Sequence, residues 1–171
     1  MEQPTGSRSV FEGVVVRVEI EDWPGAGPWE IVRLPGAAGV LPVTASGDVV
    51  LVKQLRRPVR DVLTEIPAGL LDVEGEDPLA CAARELFEET GYRHETIQFL
   101  GGMYPSAGIT DEYVHLFWAR AAEAPERPPE DGIEVLRLPL PGMVAAARAG
   151  GVRDAKTALA LLLFAGRASR A

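Results

Sequence analysis

A chain of 171 residues that is 47% hydrophobic suits one compact domain with a small N-terminal extension, and its apolar content argues against disorder. A formal charge of -8 argues against a general nucleic-acid or membrane-surface binder, because phosphate groups would be repelled unless a local basic patch or bridging cations intervened. No apolar run approaches the roughly 20 residues of a transmembrane helix, Met-Glu-Gln-Pro-Thr-Gly-Ser-Arg does not read as a signal peptide, and the sole cysteine, Cys81, has no intrachain partner; the expected setting is the reducing cytoplasm.

Taken in order, residues 11–20 are β-branched and alternating, and 29–34 repeat the pattern. Between them, Asp22-Trp23-Pro24-Gly25-Ala26-Gly27-Pro28 is rich in turn residues. The expectation is a hairpin-like β appendage over 1–35, ahead of a main domain over 36–171. Strands are expected at 39–44 and 48–55 around Ala45-Ser46-Gly47, and 63–66 leads into the turn Pro67-Ala68-Gly69. Further on, 96–103 and 112–121 read as strands flanking a loop at 105–111. A Pro-rich acidic loop at 123–132, a strand at 133–138 and a helix at 141–149 follow, and Asp154 caps a last amphipathic helix that ends near 166, with a frayed tail over 166–171. The pattern predicts a mixed sheet between helices, α/β/α in layers.

The segment between these halves organises the chain. Asp77 is a good N-cap, Pro78 fits the first helical position, and Gly91 suits a left-handed stop, so a helix is expected over 78–90. At about 100° per residue, Leu79, Ala82, Ala83, Leu86 and Thr90 share one side, while Glu85, Glu88 and Glu89 form a stripe well away from it. Carboxylates at these spacings repel, so a helix gains nothing structurally from the stripe. For an isolated helix the bland reading is a solvated face with Arg84 pairing to Glu88. The loop ahead of this one decides otherwise: Asp72, Glu74 and Glu76 add carboxylates, while Gly69 and Gly75 let backbone approach a ligand. Hard oxygen donors clustered in this way suit Mg²⁺ or Mn²⁺.

The segment resembles the signature of the Nudix hydrolases, G-x5-E-x7-R-E-U-x-E-E-x-G-U with U aliphatic. From Glu76 onward the spacing is met through Arg84-Glu85-Leu86, Glu88-Glu89 and Gly91. Two departures exist: six residues rather than five separate Gly69 from Glu76, and Tyr92 stands at the final aliphatic position. The resemblance extends toward the ADP-ribose pyrophosphatase branch through Glu30-Ile31-Val32-Arg33, Val50-Leu51-Val52-Lys53-Gln54-Leu55-Arg56, Glu65-Ile66-Pro67-Ala68-Gly69, Ser106-x-Gly108-x-Thr110-x-Glu112 and Asp154-Ala155-Lys156-Thr157. It implies a Nudix-type fold and metal-dependent hydrolysis of a nucleoside diphosphate derivative, foremost ADP-ribose to AMP and ribose 5-phosphate. It also implies that Glu85, Glu88, Glu89 and the Ala68 carbonyl hold Mg²⁺, with Mn²⁺ as the other candidate, and that Arg56 reaches the substrate phosphates. The base or an extra metal ligand is expected from the late acidic loop, at Glu130 or Asp131 with Glu134 in reserve, and Glu88 is the alternative base within the signature.

The resemblance makes Arg33, Ser106, Gly108 and Glu112 further candidates for substrate contact, Glu112 for metal as well; the other reading of Arg33 is a solvated side chain, and that of Arg56 a surface charge. The branch usually has Ser-Pro-Gly in the loop after the signature, where this chain has Ser106-Ala107-Gly108. The resemblance implies that Trp29 or Trp23 stacks on the base across a homodimer, whereas Phe11 reads as core. His115, Cys81 and His94 carry structural readings, and no Ser-His-Asp or Cys-His arrangement is visible. Two alternatives stand beside the main expectation: hydrolysis of another nucleotide sugar or of FAD or NADH, and an inactive ADP-ribose sensor. The expected partners are a small nucleotide substrate and a second copy of the chain, with neither nucleic acid nor membrane.

Overall fold

The computed structural model describes residues 2–168, so part of the tail expected to fray, 169–171, lies outside the described residues. A seven-stranded mixed sheet forms the centre. Its main path runs β10 (Glu134–Pro139), β5 (Asp48–Arg56), β4 (Ala37–Thr44), β9 (Val114–Ala121) and β8 (His94–Met103). β6 (Asp61–Glu65) pairs with β5, and β7 (Ala68–Leu70) pairs with β4. β4 and β9 run parallel and the other pairs antiparallel.

Strand alternation explains the layers, because successive side chains point to opposite faces. Leu41, Val49, Leu51 and Leu116 pack on one face with Val144, Ala147, Ala160 and Leu161 of α2 (Leu140–Arg148) and α3 (Ala155–Ala168). Ala38, Val40, Val50, Phe117 and Ala119 pack on the other with Cys81, Ala82 and Leu86 of α1 (Pro78–Thr90). The result is the expected α/β/α arrangement. β4 is buried at all but one position, as a strand covered on both faces should be.

α1 keeps its expected bounds. Asp77 accepts from the Ala80 N–H, Pro78 opens the first turn, and Gly91 closes the helix at φ 74° while donating to the Phe87 carbonyl. Its rotation differs from the expectation. Leu79 is exposed, and the buried residues are Cys81, Ala82, Leu86, Glu89 and Thr90. The helix therefore turns Glu89 toward the protein rather than toward solvent. Periodicity alone favours the most apolar face, whereas here packing under the 68–70 segment decides.

The N-terminal region is a separate three-stranded antiparallel sheet of β1 (Gly6–Glu12), β2 (Arg17–Trp23) and β3 (Gly27–Arg33). The run at 11–20 is thus two strands: the Gly13 N–H donates to the Val16 carbonyl at 2.8 Å and closes a tight turn, with Val14 fully exposed. Valines in a turn carry no warning in the sequence, since their propensity is for strands. Phe11, expected in the core, is 54% exposed, because β1 is exposed along its whole length. Two smaller corrections concern the main sheet. Ala68 and Gly69, read as a turn, lie in a short strand opposite Gly39 and Ala38, and β9 begins at Val114, after Thr110 Oγ1 has accepted the Glu112 N–H at 2.8 Å.

β3 is tied to the loop that precedes β9. The Val32 N–H donates to the Ile109 carbonyl at 2.8 Å, and the Leu34 N–H donates to Asp111 at 3.1 Å. The appendage and the 105–111 loop are thus mechanically linked.

Candidate active site

α1 and the 68–70 strand hold the acidic centre. Glu89 is 5% exposed, and its Oε2 accepts the Ala68 N–H at 3.1 Å. Burial drives its pKa up to about 7; the Ala68 N–H and Arg56 act against that rise, and Glu85 and Glu130 add to it. Burial likewise raises the Glu85 pKa, with Arg84 opposing and Glu88 and Glu130 adding repulsion. Glu130 belongs to the late acidic loop, and its charge adds to both shifts.

Gly69 makes the acidic centre sterically possible. A β-carbon there would stand 2.0 Å from Glu85 Oε1 and 2.2 Å from its carboxyl carbon. The glycine leaves a cradle that the Glu85 carboxylate fills. Gly91 has a comparable task at the other end of α1, where a β-carbon would meet the Arg127 carbonyl at 2.1 Å. That close approach anchors the acidic loop: the Glu126 N–H donates to the Gly91 carbonyl at 2.8 Å, and Arg127 donates to the Glu88 carbonyl at 3.0 Å.

Arg84 gathers the remaining acids. Its guanidinium grips Glu76 at 2.8 and 2.9 Å, Glu85 at 2.6 Å and Glu88 at 2.9 Å. The Arg84–Glu88 pair of the bland reading is therefore real, but it is one contact of four. The Glu88 side chain is 43% exposed, whereas Glu85 and Glu89 are turned inward. Among the described residues, no three acidic, His or Cys side chains form a closed metal cage. The centre offers two desolvated carboxylates and an adjacent strand backbone. Desolvated hard oxygen donors fit a divalent cation such as Mg²⁺, so these residues suit the metal that the sequence pattern implies.

A cleft of about 330 Å³ adjoins this centre at Ala68 and Gly69 and is lined as well by Arg56, Met103, Pro105, Glu112 and Lys156 among others. Arg56 donates to both oxygens of the buried Glu65, at 2.8 and 2.7 Å, and Lys156 donates to Glu65 as well. A neighbouring groove of about 300 Å³ is lined by Trp29, Ile31, Arg33, Tyr104, Gly108 and Ile109 among others. The 104–112 segment forms the wall between the two. Trp29 and Tyr104 are 50% and 60% exposed there, which leaves aromatic surface available.

The expected site residues thus fall into two adjoining sets. Arg56, Ala68 and Glu112 line the first cleft, Glu85 and Glu89 adjoin it through the Gly69 and Ala68 backbone, and the charge of Glu130 acts on both glutamates. Trp29, Arg33 and Gly108 gather at the second. Arg33 is engaged by Glu19 at 2.8 Å, by Asp111 at 3.1 Å and by Glu21. The Ser106 carbonyl accepts the Ile109 and Thr110 N–H groups, both at 3.0 Å, and so shapes its loop. Glu134 is the first residue of β10 and pairs with Lys53 at 3.3 Å rather than standing in the loop with Glu130 and Asp131. Cys81 is buried, its thiol pushed up to about 12 by desolvation and then by Glu85, which suits an inert packing residue. His115 packs against Tyr113, ring centres 4.8 Å apart. Glu65 and Lys156 were not singled out from sequence as site residues, although both lie in segments that carried the resemblance.

The family model described as NUDIX domain matches residues 33–160. The chain belongs to the Nudix family. Among its curated Nudix-like relatives, an ADP-ribose pyrophosphatase of Bacillus subtilis (strain 168) is 38% identical over 168 residues, covering 94% of this chain and 90% of that protein. A methanol dehydrogenase activator of Bacillus methanolicus is 33% identical with the same coverage of both chains. A solved structure described as an ADP compounds hydrolase superposes with a TM-score of 0.80 over 99% of this chain and 95% of its own, at 18% identity, which shows a shared fold.

Proposed function

We propose that this Nudix enzyme hydrolyses the pyrophosphate bond of ADP-ribose to AMP and ribose 5-phosphate, with Mg²⁺ as the metal. The observation that carries the reading is the pair of desolvated carboxylates, Glu85 and Glu89, set against the Gly69 and Ala68 backbone beside a cleft that presents Arg56. The similarity to the Bacillus subtilis ADP-ribose pyrophosphatase supports the substrate.

When bound, a divalent cation neutralises diphosphate oxygens and lowers the pKa of a coordinated water. Glu85 and Glu89, with the Ala68 backbone, are the residues that would hold it. Glu88 is assigned an auxiliary part, because its side chain is 43% exposed whereas Glu85 and Glu89 are turned inward. Arg56 orients the diphosphate through N–H groups that Glu65 leaves unused, and its charge opposes the charge that develops on the leaving oxygen. Glu130 would be the loop carboxylate that accepts the attacking water's proton, its charge being the one from that loop that acts on Glu85 and Glu89; Asp131 follows it in the same loop, and Glu134, paired with Lys53, is the reserve. Trp29 stacks on the adenine in the second groove, Gly108 and Ser106 shape its wall, Arg33 braces it, and Glu112 faces the terminal ribose.

In this reading residues 1–35 form a dimerisation and base-binding element and 36–171 the hydrolase domain. The exposed β1 surface, including Val10 and Phe11, supports a homodimer, since a small sheet needs a second layer for stability. The buried, unpaired Cys81 suits a cytoplasmic setting. The test is mass spectrometry of products from a panel of nucleoside diphosphate derivatives with Mg²⁺ or Mn²⁺. AMP and ribose 5-phosphate from ADP-ribose are expected; cleavage of another nucleotide sugar or of FAD, with ADP-ribose untouched, refutes the substrate.

A further inference from the structure

The ion-pair cluster behind the cleft holds more than one arginine needs. Glu65 is 1% exposed and binds Arg56 through both oxygens, while Lys156 Nζ bridges Glu65 and Asp154, the latter at 2.8 Å. Despite burial, the two cations hold the Glu65 carboxyl below its ordinary range. A buried cluster of this kind is a poor source of stability, because apolar replacements of similar volume are often neutral or better. What it does achieve is position.

The place of Lys156 in the chain makes the same point. It is the second residue of α3, where a cation opposes the positive end of the helix dipole. Asp154 completes the cap there, accepting the Thr157 N–H at 2.9 Å and the Thr157 hydroxyl at 2.5 Å. A lysine that served packing alone would gain by standing elsewhere. Its side chain stays 15% exposed and lines the same cleft as Arg56. An ammonium carries three protons and a guanidinium five. With two of each engaged by Glu65 and Asp154, donors on both residues remain without a protein acceptor among the described residues.

We propose that Lys156 is a second phosphate-binding cation of the cleft, acting beside Arg56 on the diphosphate, and that Glu65 is the positioning residue that fixes the spacing of the two. Lys156 and Arg56 share Glu65 while Asp154 holds Lys156 in place, and each cation keeps a donor for an anion. The inference rests on the pyrophosphatase reading but not on the identity of the nucleotide.

The test is calorimetric titration of methylenediphosphonate into the full-length protein at fixed Mg²⁺. This probe lacks base and sugar, so its binding does not depend on which nucleotide is cleaved, and a wrong substrate would appear only in the product panel. Lys156→Met should weaken binding about tenfold and flatten the dependence of affinity on salt, because one charge contact is lost. Lys156→Arg should bind within about threefold of wild type. Glu65→Gln should weaken binding while both cations remain. Circular dichroism identifies any variant that fails to fold, and Lys156→Gln then replaces Lys156→Met. Affinity and salt dependence in the methionine or glutamine variant within twofold of wild type overturn the proposal, as does wild-type protein with no saturable binding.

Discussion

Gly69→Ala is the sharpest single perturbation of the acidic centre. The added methyl would stand 2.0 Å from Glu85 Oε1 and 2.8 Å from Glu85 Cγ, inside the 3.0 Å that β-carbons essentially never breach. Glu85 is the flexible partner, so its carboxylate moves by at least about 1 Å while the strand backbone stays. Overpacking of this kind costs about 1–3 kcal/mol, which for a chain of this size lowers Tm by roughly 2–4 °C per kcal/mol. The effect on turnover should be larger, since a misplacement of about 1 Å in a catalytic group can reduce rate about 100-fold. Steady-state turnover of ADP-ribose with saturating Mg²⁺, beside a thermal melt, separates the two effects. Gly108→Ala is the matched control, because nothing lies within 4 Å of a β-carbon there; it should fold and melt like wild type. In a Glu85→Gln background, Gly69→Ala should add little further loss of turnover, because both changes remove the same carboxylate. A Gly69→Ala enzyme that keeps more than about a third of wild-type turnover would refute the cradle.

Glu85→Gln and Glu89→Gln should each lose most turnover yet fold normally; near-full activity with saturating Mg²⁺ in either would reduce the acidic centre to a structural feature. The raised pKa of Glu89, about 7, means that the folded metal-free protein binds this proton more tightly than the unfolded chain does. Its stabilising contribution is therefore fully present below the ordinary glutamate range and declines as pH rises through 7; melts in EDTA between pH 5 and 8 should show that decline in wild type minus Glu89→Gln, and a flat difference would count against it. Thr157→Val should lower stability by about 1–3 kcal/mol, because the fully buried Thr157 hydroxyl accepts the Ile66 N–H at 2.8 Å, which would be left unpaired; an unchanged melt contradicts this. Ala107→Pro should shift preference toward ADP-ribose by no more than a few fold, as expected of a backbone restriction worth less than about 1 kcal/mol, and a change of substrate class would disprove that estimate. Light scattering should give a dimer, whereas a monomer active at nanomolar concentration rules out a site shared between subunits.

Much of this molecule is legible in the chain itself because its signals are local. Asp77, Pro78 and Gly91 delimit α1 through hydrogen bonds and dihedral angles that involve near neighbours alone, and the short β-rich apolar runs at 39–44 and 48–55 announce strands of the central sheet. The spacing of Glu85, Glu88 and Glu89 points to hard cation chemistry for the same reason. Tertiary structure decides what depends on residues far apart. It turns α1 so that Glu85 and Glu89 face the 68–70 strand while Glu88 stays at the surface, an arrangement that the missing β-carbon of Gly69 leaves room for. It breaks the valine-rich run at Gly13 and leaves Phe11 uncovered, since propensity cannot report whether a second layer exists. It also brings Lys156, 91 residues away in sequence, onto Glu65 beside Arg56. A lone lysine on an amphipathic helix gives no sign of such a partner, because a buried carboxylate becomes visible only when the chain has closed around it.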